Sequence, residues 1–184
     1  DSTMAEAARL LPELAGPTWI CAKRQTAARG RRGRPWVNPT GNLAATLVLP
    51  LNDGPDARAL RSFVAALALY DALVGVSGRV DGLALKWPND VLLTGGKVAG
   101  ILLESLGGHL AIGIGVNLVT APKPDEVEAH AVRPVSVLSA VGVEIVPEVF
   151  LDHLAVAFAE LDARFVTYGF APFREAWVAR AARL

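Results

Sequence analysis

"VAGILLESLGGHLAIGIGVNLV", residues 98 to 119, is two apolar runs joined by Gly107-Gly108. Each run has the length and composition of a strand, and a glycine pair between two such runs predicts a β-hairpin. In the second run Gly113 and Gly115 alternate with Ile112, Ile114 and Val116. Successive strand residues face opposite sides of a sheet, so one face of this strand carries no side chains. That leaves a slot for a flat ligand. The pattern is not the G-x-G-x-x-G phosphate fingerprint, and no helix follows it. Gly100, in the middle of the first run, also predicts close approach of another group to the backbone.

Working outward, "GLALKW" (82–87) and "DVLL" (90–93) read as short strands divided by Pro88, and Gly95-Gly96-Lys97 reads as a turn. Upstream, Leu60, Phe63, Val64, Leu67, Tyr70 and Val74 follow helical spacing within residues 55–76, which predicts a helix of about five turns. "NLAATLVLP" (42–50) and "TWICAKR" (18–24) read as strands. A capping box, Thr3 with Glu6, opens a short helix that falters near Pro12 and stops by Gly16-Pro17. Downstream, residues 120–136 form a Pro-rich polar loop. A short helix lies within 135–142, a long amphipathic one over 146–169 and a last one over 171–184. This order predicts an α+β fold, a mixed and largely antiparallel sheet with packed helices, in one domain without repeats or a linker.

Bulk properties limit the function classes. The 184 residues carry 18 Lys and Arg against 18 Asp and Glu, so no general positive field draws nucleic acid. The single cysteine, Cys21, excludes an internal disulfide framework and a Cys-rich zinc site, and its apolar surroundings predict a buried thiol in a reducing cytosol. No uninterrupted apolar run reaches 18 residues, and no signal peptide is visible, so the expectation is a cytoplasmic protein with no membrane span.

Positive charge is nevertheless concentrated. "QTAARGRRGRPW" (25–36) has four arginines and no acid, and Lys23 and Arg24 precede it. It lies in a loop that runs to residue 42, beyond the length at which loops are usually functional or disordered. Glycines let backbone approach a ligand and arginines grip phosphate with charged forks, so the stretch can fold over an anion. A solvated basic loop and a nucleic-acid contact are the competing readings. In "KWPND" (86–90), Pro88 interrupts a strand, and Lys86 and Asp90 could form an ordinary surface bridge. Lys97, taken alone, reads as a solvated turn lysine.

Taken together and in this order, "DST", "QTAARGRRGRPW", "KWPND", "KVAGILLE" and "IGIGVN" resemble the successive motifs of biotin protein ligases, from residue 1 to about residue 180. The resemblance implies the class II aminoacyl-tRNA synthetase-like core of biotin and lipoate ligases. It implies that biotin and ATP with Mg²⁺ form biotinyl-5′-AMP, and that biotin then passes to a lysine of a biotin carboxyl carrier protein, the acetyl-CoA carboxylase subunit. No nucleic acid or membrane takes part, and a homodimer is among the assemblies it allows. Carried over by motif, Ser2, Thr3 and Gln25 hold the biotin ureido ring and Arg29 lies over the biotin. Gly100, Gly113 and Gly115 let backbone close on its rings and tail. Arg31 holds the adenylate phosphate, and Lys97 lies between the biotin carboxylate and the α-phosphate. Trp36 covers the adenine, and Asn89, Asp90 and Asn117 fix the nucleotide, with Asp90 offered to a metal. Two departures stand out: Ala28 replaces the first glycine of the loop pattern, and Met4 stands where Asn is common. The expected domain content is the catalytic domain over 1–184, with no DNA-binding winged helix before "DST" and no C-terminal β-barrel. The alternatives are a lipoate or octanoyl ligase-like transferase and a non-catalytic biotin or adenylate binder.

Overall fold

A computed structural model of the chain describes residues 1–51, 54–128 and 130–182. Six strands form one sheet: β1 (Thr18–Cys21), β2 (Leu43–Pro50), β3 (Leu83–Lys86), β4 (Asp90–Leu93), β5 (Gly96–Leu106) and β6 (His109–Val116). Their order is β1-β2-β6-β5-β4-β3, and every neighbouring pair is antiparallel. The hairpin read from residues 98–119 is the β5–β6 pair, with Ile101 opposite Ile114 and Gly100 opposite Gly115. Gly107 turns it with φ 57°, a left-handed conformation that costs glycine little. Among the described residues, parallel pairing is limited to two isolated bridges, Leu85 with Ala181 and Lys97 with Pro134.

The long helices α2 (Pro55–Ser77) and α4 (Pro147–Tyr168) cover one face. Val64, Leu67 and Leu73 of α2 and Phe150, Leu154 and Phe158 of α4 meet Leu47, Ile101, Ile112 and Ile114 of the sheet in one buried core. Among the described residues α2 is the one helix long and apolar enough to cross a membrane; more than half of that stretch is buried in the protein, as in a core helix. Arg61 on α2 is 2% exposed, pairs with Asp162 on α4 at 2.9 Å and lies over the Phe165 ring. Losing a charged hydrogen-bond partner at such a site costs about 2 kcal/mol. Asp162→Ala is therefore expected to lower the urea midpoint with an unchanged m-value.

The other face is covered only in part, by α1 (Thr3–Leu10) over β2 and β6. Its N-cap is Ser2, whose Oγ accepts from Ala5 N–H at 3.1 Å, one residue earlier than the Thr3 capping box expected from sequence. The short helix α3 (Val137–Val141) and the last one, α5 (Ala171–Ala179), complete the fold. Cys21 corrects a second expectation. It is exposed, because β1 is the edge strand and Cys21 its last residue, at the margin of the core.

Candidate active site

Directly opposed residues of an antiparallel ladder share a face, so the pairing register lays out the half-open side of the sheet. One row runs Ala44–Gly115–Gly100–Asp90–Lys86 across β2, β6, β5, β4 and β3. The next runs Ile20–Thr46–Gly113–Leu102. Three adjacent positions in these rows are glycines, which sinks the middle of the face into a trough.

Lys97 belongs to that face because of an irregularity. Val91 pairs with Ala99, but Leu92 pairs with Lys97, so Val98 is an extra residue in β5. In a regular strand Lys97 would share the face of Ala99, which is completely buried in the core. The bulge inserts one residue and turns Lys97 to the open side, as bulges beside functional sites do. Residues 133–135 then clamp the bulge: Lys97 N–H donates to Arg133 O at 2.8 Å and Val135 N–H to Lys97 O at 3.0 Å. Asn117, 2% exposed, donates its side-chain amide to Val135 O at 3.1 Å and its backbone N–H to Val98 O at 2.8 Å. A Cβ on Gly96 would overlap the Val135 side chain and lie 3.0 Å from Arg133 O. Gly96→Val is therefore expected to pry this clamp open, read as faster amide exchange at Lys97 and Val135 while the α2 core amides keep their protection.

The loop after β1 closes the trough. Its backbone is knotted to itself and to the chain start: Gly30 N–H donates to Arg34 O at 2.7 Å, Trp36 N–H to Ala28 O at 3.0 Å, and Thr26 and Ala27 N–H groups to Asp1 O. Left-handed backbone falls on Arg32 and Gly33, not on Ala28, so alanine suits its position. Two ion pairs tie the loop down, Arg29 to Glu104 at 3.0 Å and Arg34 to Glu128 at 2.9 Å.

Beneath it lies a cavity of about 470 Å³. It is lined by every residue the motifs singled out: Ser2, Thr3, Gln25, Arg29, Arg31, Trp36, Asn89, Asp90, Lys97, Gly100, Gly113, Gly115 and Asn117. At one end Thr3 N–H donates to Gln25 Oε1 at 2.8 Å, and the buried Thr46 hydroxyl donates to Thr3 Oγ1 at 2.9 Å. Thr46 was missed from sequence, although a lone hydroxyl in the apolar run 42–50 was a readable signal. Met4 forms the floor there, its methyl against Gly113. At the other end Lys97 Nζ stands 2.6 Å from Asp90 Oδ1, an ion pair off the hydrogen-bond line, and 5.4 Å from the Trp36 ring. Asp90 thus pairs with Lys97, not with Lys86 as the spacing suggested, because the bulge brings Lys97 beside it.

Three of the motif side chains have neighbours within the protein that the sequence did not indicate. The slot over Gly100 and Gly115 is filled by the Trp36 indole, which would be 2.6 Å from a Cβ at Gly115, and its buried Nε1 has no partner among the described residues. Arg29 reaches Glu104. Asn89 spends its amide on Ile101 O at 2.9 Å, where it braces β4 against β5.

Residues 1–118 match the family described as the Biotin/lipoate A/B protein ligase family. The whole chain is 59% identical to a biotin–[acetyl-CoA-carboxylase] ligase of Paracoccus denitrificans and spans 79% of its length. Over 87% of the chain it is 32% identical to the bifunctional ligase/repressor BirA of Bacillus subtilis, of which it spans half. Its fold superposes along its full length, with a TM-score of 0.87 and 26% identity, on 76% of the biotin protein ligase from Aquifex aeolicus solved in complex with biotin and ATP.

Proposed function

The chain belongs to the Biotin/lipoate A/B protein ligase family, and on that premise we propose that it activates biotin with ATP and transfers it to a lysine of a biotin carboxyl carrier protein. Residues 1–184 act as the catalytic domain, in the cytoplasm. The observation that carries this reading is the meeting of Lys97, Arg31 and the glycine trough in one cavity.

In the first step a biotin carboxylate oxygen bonds to the α-phosphorus of ATP and pyrophosphate leaves. Three negative groups converge, so fixed positive charge is the main requirement. Lys97 supplies it at the junction. It acts as a cation and not as a base, since the attacking carboxylate is already ionised near neutral pH. Arg31 brings a second cation on the loop, and closure of that loop keeps water from the mixed anhydride. Ser2, Thr3 and Gln25 bind the ureido ring, with Met4 under it and Arg29 over it. The biotin tail takes the ground over Gly100 and Gly115, and Trp36 moves outward to cover the adenine. Asn89 and Asn117 serve the nucleotide by holding the strands and the Lys97 clamp in place. In the second step the acceptor lysine amine attacks the acyl carbon, an amide forms, and AMP departs.

Magnesium would be held by the triphosphate with one protein carboxylate. Among the described residues no three acidic, histidine or cysteine side chains gather to hold a metal, but Asp90 lies in the cavity and one carboxylate plus phosphate oxygens and water suits Mg²⁺. Bound there, the ion would neutralise phosphate charge.

A biotin-dependent ATP–pyrophosphate exchange assay tests the reading, paired with calorimetric titration of biotin and lipoate. Exchange with biotin and tight biotin binding are expected. Exchange supported by lipoate and not by biotin would assign the site to a lipoate ligase instead, and biotin binding without exchange would make the chain a non-catalytic binder.

A further inference from the structure

Six cations line the cavity, and they differ in what neutralises them. Arg29 faces Glu104, Arg34 faces Glu128 and Lys97 faces Asp90. Arg31, Arg32 and Lys86 have no ion-pair partner among the described residues. The two arginines ride on the loop. Lys86 does not. It is the last residue of β3, a strand held on both sides: β4 pairs with it, and Leu85 N–H donates to Arg180 O while Ala182 N–H donates to Leu85 O, both at 2.8 Å. Trp87, the next residue, packs on Phe63 with ring centroids 5.5 Å apart and on Trp177 at 6.3 Å. Leu83 and Leu85 point to the core, so Lys86 is on the cavity side.

Its place in the sheet gives the cation a direction. Lys86 stands opposite Asp90, and Asp90 opposite Gly100. Two strand spacings, about 10 Å, separate Lys86 from the trough. Lys97 reaches the trough side of Asp90, with its Cε against Gly100. A path from the trough past Lys97 and Asp90 therefore arrives at a rigidly mounted ammonium with no ion-pair partner among the described residues. Partial burial without a counter-charge is unfavourable unless an anion binds there.

We propose that Lys86 receives the pyrophosphate leaving group of the adenylation step, an assignment that rests on the function proposed above. As the carboxylate oxygen bonds to the α-phosphorus, the bond from that phosphorus to the bridging oxygen breaks. The electron pair stays on that oxygen, and pyrophosphate leaves with one more negative charge than the β,γ-unit carried in ATP. No proton moves and nothing is oxidised. Lys97 is ion-paired with Asp90, so among the described residues Lys86 is the strand-mounted cavity cation without an ion pair, on the departure side. Transfer of biotin to the acceptor lysine releases AMP and has no need of it.

The test uses the whole chain with Lys86→Gln and Lys86→Arg, pyrophosphate as the probe, and synthetic biotinyl-5′-AMP to isolate the second step. Lys86→Gln is expected to raise the KM for pyrophosphate about tenfold and to slow exchange by about 10- to 100-fold, less than the roughly 100- to 1000-fold for a donor at the reacting centre, because Lys86 meets only the leaving group. Lys86→Arg should restore most of both. Biotin affinity, and transfer from preformed biotinyl-5′-AMP to a carrier domain, should stay within about twofold of the unsubstituted chain. A Lys86→Gln chain with an unaltered KM for pyrophosphate would overturn the assignment, and so would an equal loss in the transfer step. Loss of biotin affinity in both variants would also overturn it, by making Lys86 a prop of the fold. If the unsubstituted chain fails to exchange, the adenylation reading itself falls, and this assignment with it.

Discussion

Lys97→Ala is expected to keep its fold and its affinity for biotin while biotin-dependent ATP–pyrophosphate exchange falls by roughly 100- to 1000-fold, on the order of 3 kcal/mol of transition-state stabilisation. The size follows from the number of cations that can reach the junction. Arg29 and Arg34 are engaged by Glu104 and Glu128, and Arg31 and Arg32 depend on the posture of their loop. Lys97 alone rises from the trough itself, on a bulge clamped by Arg133, Val135 and Asn117. Its side chain is a quarter exposed and lies against Trp36 and Asp90, so truncation leaves polar space and not a core cavity. Thermal stability should fall modestly while the fold persists, because Asp90 loses its counter-charge. Lys97→Arg is not expected to rescue the rate, because a planar fork is a poor replacement for a compact ammonium in a confined site. Exchange within about fivefold of the unsubstituted rate would remove Lys97 from the chemistry, since loss of a single electrostatic donor normally costs far more.

Gly115→Ala should produce the second large effect, through the trough and without loss of any charge. The added methyl would lie 2.6 Å from three indole atoms of Trp36, so the ring must leave its seat. The methyl stays behind on the ground proposed for the biotin tail. A displacement of about an ångström near reacting groups can cost on the order of 100-fold in rate, and a comparable loss is expected here in kcat/KM for biotin. Gly113→Ala offers the comparison. Its methyl would meet the Met4 methyl at 3.0 Å, the far end of a flexible side chain, and the loss should be smaller. Tryptophan fluorescence separates the causes: Gly115→Ala should alter the Trp36 environment before any ligand is added, and Gly113→Ala should not. Equal losses from the two substitutions would mean that the trough does not discriminate as described.

Much of this protein could be read along the chain. The two glycine-joined runs over 98–119 are the central hairpin, and the apolar spacing of residues 55–76 is the helix that covers the core. The candidate site residues all line one cavity. What escaped the reading was non-local. Cys21 looked buried among apolar neighbours, but its strand ends at the sheet edge. Lys86 and Asp90 looked like partners by spacing, but a bulge in another strand gives Asp90 to Lys97. The glycine slot looked vacant because a strand pattern cannot register a tryptophan arriving from a loop about 80 residues away in sequence.

By itself the sequence determined the elements, the hairpin, the concentration of arginine in one glycine-jointed loop and the side-chain-free face of β6, because periodicity, turn chemistry and charge are properties of neighbouring residues. The tertiary structure alone decided which side of the sheet Lys97 takes, which carboxylate it meets, and that Lys86 beside them has no ion pair among the described residues. Those outcomes depend on the pairing of β4 with β5, where one unmatched residue, Val98, reverses the alternation on which any reading of a strand relies.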